Sequence, residues 1–303
     1  MGQRDGWKFA KDVAAQRADS LPLREQLLWR IGALTSAQSV DLAQHAAHFP
    51  EVIAGLTVPE SGIRPILVSR DKEGELISKA SLEDGGSLVA TGFLQAATGE
   101  FVGSFKRRLQ FEQSWALHEQ LVIVPEFRGR GIAPSFLLRS FGLYDDLELE
   151  EVHLVAGLET GRWYWAHMGF DFMKVDEKAM VRYWAEEVCA ALGVDGSEIG
   201  EQSSAGQIAR LDCESEISLA ALSKAMPHQH DRLEEIAEKN GMEMTRPISL
   251  GRAIMLTGPQ WSGFLQLKGP HRLAFEEAAQ ERAKRAAEGG QGDHPPAAGV
   301  QQD

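Results

Sequence analysis

The pattern of apolar and polar positions divides the chain into a helical start and a middle rich in strands. Near the N-terminus, Ser20 is in the position of a helix N-cap and Pro22 is in the first turn. Apolar residues follow at helical spacing and form one stripe: Leu23, Leu27, Leu28, Ile31 and Leu34. Thr35 and Gln38 have the spacing of a capping box and open a second predicted helix, which runs through Ala47.

The middle of the chain has the turn signals of a β-sheet. Residues 65–69, 88–95 and 100–110 are predicted strands, separated by Asp-Gly-Gly and Thr-Gly sequences. A fourth strand is predicted at 115–124 and a short buried strand at 152–156. Because successive strands joined by short turns pair as hairpins, these strands are predicted to be mostly antiparallel.

The last part of the chain returns to helical patterns before two further strands. Helices are predicted over 176–192, 219–226 and 230–239, and strands over 248–257 and 261–267. This order predicts a helical insertion that splits a closing pair of strands, and the alternative is a small separate C-terminal domain. In chain order, the predicted parts are N-terminal helices at 1–60, a core at 61–175, the insertion at 176–247, closing strands at 248–275, and a disordered tail at 276–303 that begins as a charged helix.

The most specific feature of the sequence is the step from the fourth strand into a glycine-rich turn and then a helix. Gly129 and Gly131 leave the backbone N–H groups of the turn accessible, and the positive end of a helix dipole follows them. Arg128 and Arg130 add positive charge. This arrangement is typical of an anion site and predicts a cofactor that carries a diphosphate. The turn lacks the Gly-Lys-Ser/Thr ending of a P-loop and the third glycine of a dinucleotide fingerprint.

The turn resembles motif A of the GNAT N-acyltransferase superfamily, whose pattern is Arg/Gln-x-x-Gly-x-Gly/Ala. Arg128, Gly131 and Ala133 match this pattern, and the strand in front of them is similar to the family's strand. Residues 161–170 read Gly-Arg-Trp-Tyr-Trp-Ala-His-Met-Gly-Phe and resemble the family's motif B. The resemblance implies an α/β (α+β) GNAT fold, in which helices flank a central sheet that is mixed and mostly antiparallel.

The resemblance also implies acetyl-CoA, or another acyl-CoA, as the acyl donor. The pantetheine arm would pair with the main chain of Ile123, and an N–H group near Leu121 would hold the thioester carbonyl, where negative charge grows in the tetrahedral state. Diphosphate oxygens would bind the N–H groups of the turn, which belong to Arg128, Gly129, Arg130, Gly131, Ile132 and Ala133.

Transfer to an amine also needs a proton acceptor, because an alkylamine is mostly ammonium at neutral pH. Strand alternation places Glu119 on one face with apolar residues such as Leu117 and Leu121. A carboxylate in an apolar row is desolvated, which predicts a raised pKa and a role as the base, directly or through a water. The alternative is an ion pair between Glu119 and a neighbouring Lys or Arg. His118 points to the opposite face, where packing or solvation is expected.

The proton donor for the leaving CoA thiolate has several candidates. Many family members carry a tyrosine four residues before the motif B glycine, whereas this chain has Trp165 there. Tyr164 and His167 are the candidate substitutes, although both also suit packing and a stable thiolate needs no acid. Trp163 and Trp165 are candidates for lining the acceptor or pantetheine tunnel, and so for binding substrate.

The composition narrows the classes of partner. A net charge of −13 over 303 residues argues against a nucleic-acid-binding surface, and it favours encounter with a cationic amine only through long-range steering. No apolar run is long enough for a membrane span, and no signal peptide is expected. Two cysteines without a CxxC motif predict a reducing, cytoplasmic setting. His228 and His230 lack a third ligand at suitable spacing, so no metal site is expected.

Together these features predict an N-acetyltransferase that moves an acetyl group from acetyl-CoA to a primary amine. The acceptor is either a small metabolite or a peptide or protein, and assembly as a homodimer is compatible with the sequence. Two alternatives stay open. One is a catalytically idle GNAT-fold module that binds a CoA thioester, and the other is an interaction protein whose helical insertion recruits a partner.

Overall fold

The computed structural model describes residues 64–67, 69–70, 76–77, 80–83, 87–111, 113–128, 130–157, 159–212 and 217–287. The helices predicted at 1–60 lie outside these residues, as do Gly129 and Cys213. The chain divides into two compact units. Unit 1 comprises residues 1–122 and 136–150, and unit 2 comprises residues 123–135 and 151–303.

Unit 1 is built on antiparallel strands. β5 pairs along its length with β6, from Ser87 opposite Gln110 to Gln95 opposite Phe101, with an irregularity at Leu94. β1 and β4 pair with the other edge of β5, β7 follows on the free edge of β6, and β2 and β3 form a separate pair. These strands are β1 (Arg64–Leu67), β2 (Ser69–Arg70), β3 (Leu76–Ile77), β4 (Ala80–Glu83), β5 (Ser87–Gln95), β6 (Phe101–Gln110) and β7 (Trp115–Ile123).

Alternating burial along β6 packs one face of the unit 1 sheet against the helix α1 (Ile132–Asp146). Phe105 and Leu109 are buried on this face, and the ring of Phe105 lies 5.2 Å from that of Phe136 in the helix. Aromatic rings bury large apolar areas, so this layer is the core of the unit.

Unit 2 joins a small antiparallel sheet to a series of helices. β8 (Glu151–Ala156) pairs with β10 (Trp261–Gln266), and β10 also pairs with β9 (Asp171–Phe172). The helix α2 (Glu159–His167) precedes β9, and α8 (Pro270–Ala287) follows β10. The chain between β9 and β10 is helical, with α3 (Val175–Leu192), α4 (Ala205–Ala209), α5 (Leu219–Ala225), α6 (His230–Lys239) and α7 (Leu250–Thr257).

The α/β class is confirmed, because both units combine antiparallel strands with helices. The strand predicted at 261–267 and the helices predicted at 176–192, 219–226 and 230–239 are also present, with ends that differ by a residue or so. Gly193 ends α3 at a φ of 67°, the left-handed conformation that glycine adopts most easily at a helix end.

The strand predicted at 248–257 is wrong, because α7 occupies most of this segment. Ser249 caps the helix by accepting a backbone hydrogen bond, and every residue of the helix is buried. A short, largely apolar run of this kind does not distinguish a buried helix from a buried strand. Arg162 and Arg232 donate hydrogen bonds to carbonyl groups at its C-terminal end and satisfy acceptors that the helix itself leaves unpaired.

The segment 276–303 begins as the charged helix that the sequence predicts, because α8 continues to Ala287. Phe275 and Ala279 are buried on this helix, and the ring of Phe275 lies 6.4 Å from that of Phe170. Apolar contacts on one face thus stabilise a helix whose other positions are mostly charged. Residues 288–303 lie outside the described part of the chain.

Candidate functional site

The glycine-rich turn leads from the end of β7 to α1 through a 3-10 turn at Pro125–Phe127. The Arg128 N–H donates to the Pro125 carbonyl at 3.1 Å, so this amide, assigned to the diphosphate from the sequence, is used within the turn. Gly131 has a φ of 71°, a conformation that strains any residue with a side chain. Glycine at this position lets the chain reverse direction and begin α1 at Ile132.

The first turn of α1 contains two amides that precede its regular hydrogen bonding. The Ser135 N–H donates to the Gly131 carbonyl at 3.1 Å, so the regular hydrogen bonding of the helix begins there. Pro134 has no N–H group. The amides of Ile132 and Ala133 precede the first intrahelical donor, and such amides at the positive end of a helix bind anions.

The two arginines of the turn carry exposed side chains. Nε of Arg128 donates to the Ile123 carbonyl at 2.8 Å, and the guanidinium of Arg130 lies 4.8 Å from the ring centroid of Phe127. Gly129, between them, lies outside the described residues. The Ile123 carbonyl, which the resemblance assigns to the pantetheine arm, is therefore engaged by Arg128. Exposed guanidinium groups beside the first amides of a helix fit a diphosphate in charge and in donor chemistry.

Glu119 lies on the part-exposed face of β7, next to two cations of β6. Its carboxylate pairs with Lys106 and, at 3.0 Å, with Arg108. Burial raises the pKa of Glu119, but the hydrogen bonds and charges of the two cations outweigh it and hold the pKa below its ordinary value. The predicted rise in the pKa of Glu119 is wrong, because alternation within β7 says nothing about cations on the neighbouring strand.

The opposite face of these strands is buried and holds a polar cluster. His118 Nε2 lies 2.8 Å from the Tyr144 hydroxyl, and Arg107 Nη1 donates to the Gln120 carbonyl at 2.7 Å. Burial, followed by the charge of Arg107, lowers the pKa of His118 well below its ordinary value, so the ring is neutral. Burial lowers the pKa of Arg107 to about 10. His118 is therefore packed, which is one of its two expected environments.

Sequence reasoning missed Arg107 altogether. A signal for its burial is present, because Phe105, Arg107 and Leu109 occupy alternate positions of one strand and so share a face. Lys106 and Arg108 flank Arg107, and three consecutive basic residues are more typical of a solvated segment than of a buried one.

The aromatic residues of α2 form two separate ring pairs. Trp163 stacks on His167 with ring centroids 5.0 Å apart, and its indole N–H donates to a carbonyl of α4 at 3.3 Å. Trp165 packs edge-on against Tyr164 at 5.0 Å and against Phe170 at 5.4 Å. Three consecutive aromatic side chains of a helix point in different directions, which gives each pair its own surroundings. The roles in catalysis or substrate binding predicted for the α2 residues stay predictions.

Within the described residues, no group of three or more His, Cys, Asp or Glu side chains could hold a metal ion. No helix in the same ranges is long and apolar enough to cross a membrane.

No protein-family profile and no curated protein matches this chain. A spermidine/spermine N-acetyltransferase SpeG from Vibrio cholerae, in mutant forms, matches at 19% identity over 30% of this chain and 54% of that one, with a TM-score of 0.25. A spermidine N-acetyltransferase from the same organism, in complex with CoA and spermine, matches at 19% identity over 28% of this chain and 53% of that one, with a TM-score of 0.25. A nourseothricin acetyltransferase matches at 15% identity over 41% of this chain and 79% of that one, with a TM-score of 0.26.

The chain therefore spans about half the length of the spermidine acetyltransferase chains. All three solved structures are acetyltransferases. The family resemblance of the present chain depends on the residues of the two motifs and on the order of strand, left-handed glycine and helix around the first motif. In these features the chain is similar to the GNAT N-acyltransferases.

Proposed function

We propose that the protein is an acyl-CoA-dependent N-acetyltransferase of the GNAT type, which moves an acetyl group from acetyl-CoA to a primary amine. The observation that carries the proposal is the turn, in which a left-handed Gly131 leads directly into the 15-residue helix α1 beside two exposed arginines. Free helix amides and guanidinium groups are the donors that proteins use for diphosphates. Bound acetyl-CoA would supply an acetyl group already activated as a thioester.

In this proposal, some residues of the turn bind the oxygens of the diphosphate and others balance its charge. The amides of Ile132 and Ala133 bind its oxygens, and Arg128 and Arg130 balance its charge. Nε of Arg128 donates to the Ile123 carbonyl at 2.8 Å, so its Nη1 and Nη2 groups are the proposed donors to the diphosphate.

Glu119 is the proposed acceptor for the amine proton, directly or through a water. Its lowered pKa keeps the carboxylate ionised at neutral pH, which suits attraction of an ammonium group. The same low pKa makes it a weak base, so an incoming cationic acceptor has to compete with Lys106 and Arg108 for it. The Leu121 N–H is the proposed donor to the thioester carbonyl as negative charge develops.

The α2 residues have subsidiary roles in the proposal. Tyr164 and His167 are the side chains that could return a proton to the CoA thiolate, and Trp163 and Trp165 offer apolar surface to substrate. Because a thiolate is a stable leaving group, loss of either proton donor should affect the rate less than loss of Glu119.

Calorimetric titration with CoA tests the cofactor site. Arg128→Ala removes a charge-assisted donor and should weaken CoA binding by roughly tenfold, because such hydrogen bonds contribute about 1.5–3 kcal/mol. Arg139→Ala removes the same charge from the exposed face of α1 and should leave the Kd within about twofold. Equal affinities of both variants and the unaltered protein would remove the turn as the cofactor site.

A turnover screen tests the reaction itself. Acetyl-CoA is offered with a panel of polyamines, amino acids and other small amines, and with peptides that carry lysine or a free N-terminus. Acetylated products are identified by mass. A product among the small amines or among the peptides assigns the acceptor class, and tight CoA binding with no product from any acceptor would contradict the enzyme.

A CoA-binding module without turnover is the second candidate. The observation that favours it is the ion-paired Glu119, whose lowered pKa is a poor match for general-base chemistry. Trp165, which stands where many members of the family have a tyrosine, also favours a binding module without turnover. Glu119→Gln separates the two candidates. An enzyme should lose rate and keep its CoA affinity, whereas a binding module has no rate to lose.

A further inference from the structure

Arg107 is a buried cation that no carboxylate of the described residues neutralises. It is 1% exposed on β6, and its guanidinium lies 5.3 Å from the ring centroid of Phe136. Its Nε and Nη2 atoms are buried without a well-aligned hydrogen bond among the described residues, and the Tyr144 hydroxyl is the polar side-chain group that interacts with the guanidinium. A buried charge without a counter-ion is costly to the fold. Hydrogen bonds from this guanidinium to main-chain carbonyls offset part of that cost.

The remaining donor of Arg107 acts on the peptide group that joins Gln120 to Leu121. Nη1 donates to the Gln120 carbonyl at 2.7 Å and to the Lys106 carbonyl at 3.1 Å. The described residues contain no cis peptide bond, so the Gln120 carbonyl and the Leu121 N–H point to opposite sides of the strand. A charged donor on the carbonyl draws electron density through the conjugated amide and makes the N–H on its far side a stronger donor.

We propose that Arg107 is a positioning residue for acetyl transfer, because it fixes and polarises the peptide whose Leu121 N–H stabilises the thioester oxyanion. This inference rests on the proposed function. In the transfer, the amine nitrogen forms a bond to the thioester carbon while the carbonyl oxygen takes up negative charge. The charge returns as the carbon–sulfur bond breaks, CoA leaves as thiolate, and the amine proton passes to Glu119. Arg107 neither gains nor loses a proton in any of these steps.

The oxyanion exists only during transfer, so Arg107 should affect the rate of transfer and not the binding of the cofactor. Arg107→Met removes the charge and keeps most of the volume, and kcat should fall about tenfold. That loss is smaller than the hundredfold or more, to order of magnitude, that follows removal of an oxyanion donor itself. Arg107→Lys keeps a charge near the carbonyl and should recover most of the rate. Arg139→Met, on the exposed face of α1, is the matched control.

The Leu121 amide gives a second readout that a purely structural role would not move. In proton–nitrogen correlation spectra of the full chain, its amide proton should shift upfield in Arg107→Met and stay near its original position in Arg107→Lys. The KM for acetyl-CoA and the Kd for CoA should remain within about twofold of the unaltered protein. Thermal unfolding establishes that each variant is folded.

Three results would overturn the inference alone while leaving the proposed function intact. They are an unchanged kcat in folded Arg107→Met, an unshifted Leu121 amide, and a loss of CoA affinity that parallels the loss of rate. If Arg107→Met does not fold, Arg107→Gln replaces it, because an amide donates to the carbonyl without a charge and should also lower kcat. Absence of turnover in the unaltered protein would overturn the proposed function and this inference with it, so the two failures are distinguishable.

Discussion

The two faces of the β6–β7 pair both carry titratable side chains, but one face is part-exposed to solvent and the other is buried. On the part-exposed face, Glu119 lies between Lys106 and Arg108 and pairs with both. On the other face, Arg107 and His118 are buried, and neither pairs with a carboxylate of the described residues. Residues that are neighbours in the sequence thus differ in what sets their pKa. Ionic partners decide it on the first face, and burial decides it on the second.

This difference in solvent exposure suits the two faces to different functions. An ion pair near solvent is weak and exchanges partners readily, so the carboxylate of Glu119 can meet an incoming cation. A buried network is stronger and rigid, because the low dielectric strengthens each hydrogen bond and penalises every broken one. Burial lowers the pKa of His118 and raises that of Tyr144, so both buried side chains are neutral at neutral pH. The exposed face is therefore suited to binding and the buried face to positioning.

The largest effect should come from emptying the buried face. Phe136 is fully buried against Phe105 and Arg107, whereas Phe101 on β6 is 52% exposed. Phe136→Ala should lower the free energy of unfolding by about 3–5 kcal/mol, and Phe101→Ala by less than about 1 kcal/mol. Chemical denaturation of both variants measures the difference. Equal losses would show that burial does not distinguish the two faces.

Glu119→Gln should give the next largest effect, and it should act on rate instead of stability. Loss of the proton acceptor should lower kcat by roughly a hundredfold, whereas loss of a part-exposed ion pair should change the free energy of unfolding by less than about 1 kcal/mol. Steady-state kinetics and denaturation measure the two quantities. Glu100→Gln removes the same charge from the exposed turn between β5 and β6 and should leave both unchanged. A destabilised Glu119→Gln with full activity would reverse the roles of the two faces.

The fold was predictable where an element keeps one polar and one apolar face. The helices α3 and α6 have such faces, and their sequences predicted them. The helix α7 is buried on all sides, so its apolar run was predicted as a strand. The start of the C-terminal segment was predicted as a charged helix, and α8 is present there with Phe275 and Ala279 packed inward.

The candidate site was predictable where its chemistry is local in sequence. Strand, glycine turn and helix follow one another directly, so this order of elements could be predicted from consecutive residues, whereas anion binding by the turn stays a prediction. The pKa of Glu119 could not, because its partner Arg108 is 11 residues away on the neighbouring strand. The contact between Arg107 and the Gln120 carbonyl spans 13 residues and depends on how the two strands align. Strand register is not encoded in the alternation of either strand alone.

His118 provides a pH test of the buried face. The folded protein holds the pKa of His118 well below its ordinary value, so near pH 6.5 the unfolded chain takes up a proton that the folded chain does not. Stability should therefore be complete above about pH 6.5 and fall as the pH decreases, by up to about 1.4 kcal/mol per pH unit, until the folded pKa is reached. His118→Gln should abolish this part of the slope, and the exposed control His228→Gln should retain it. Denaturation across pH measures both, and an unchanged slope in His118→Gln would contradict a buried neutral imidazole.

The smallest effect should come from removing one cation from the exposed face. Arg108→Gln removes a hydrogen bond of 3.0 Å and a charge from Glu119, so burial weighs more and the pKa of Glu119 should rise. The free energy of unfolding should change by less than about 1 kcal/mol. The acid limb of the pH profile of kcat/KM, which reports the essential base of the free enzyme, should move to higher pH. Arg108→Lys keeps the charge and should leave the limb nearly in place. An acid limb that does not move in Arg108→Gln would mean that a group other than Glu119 is the essential base. The exposed and buried faces would then differ in solvent access and not in function.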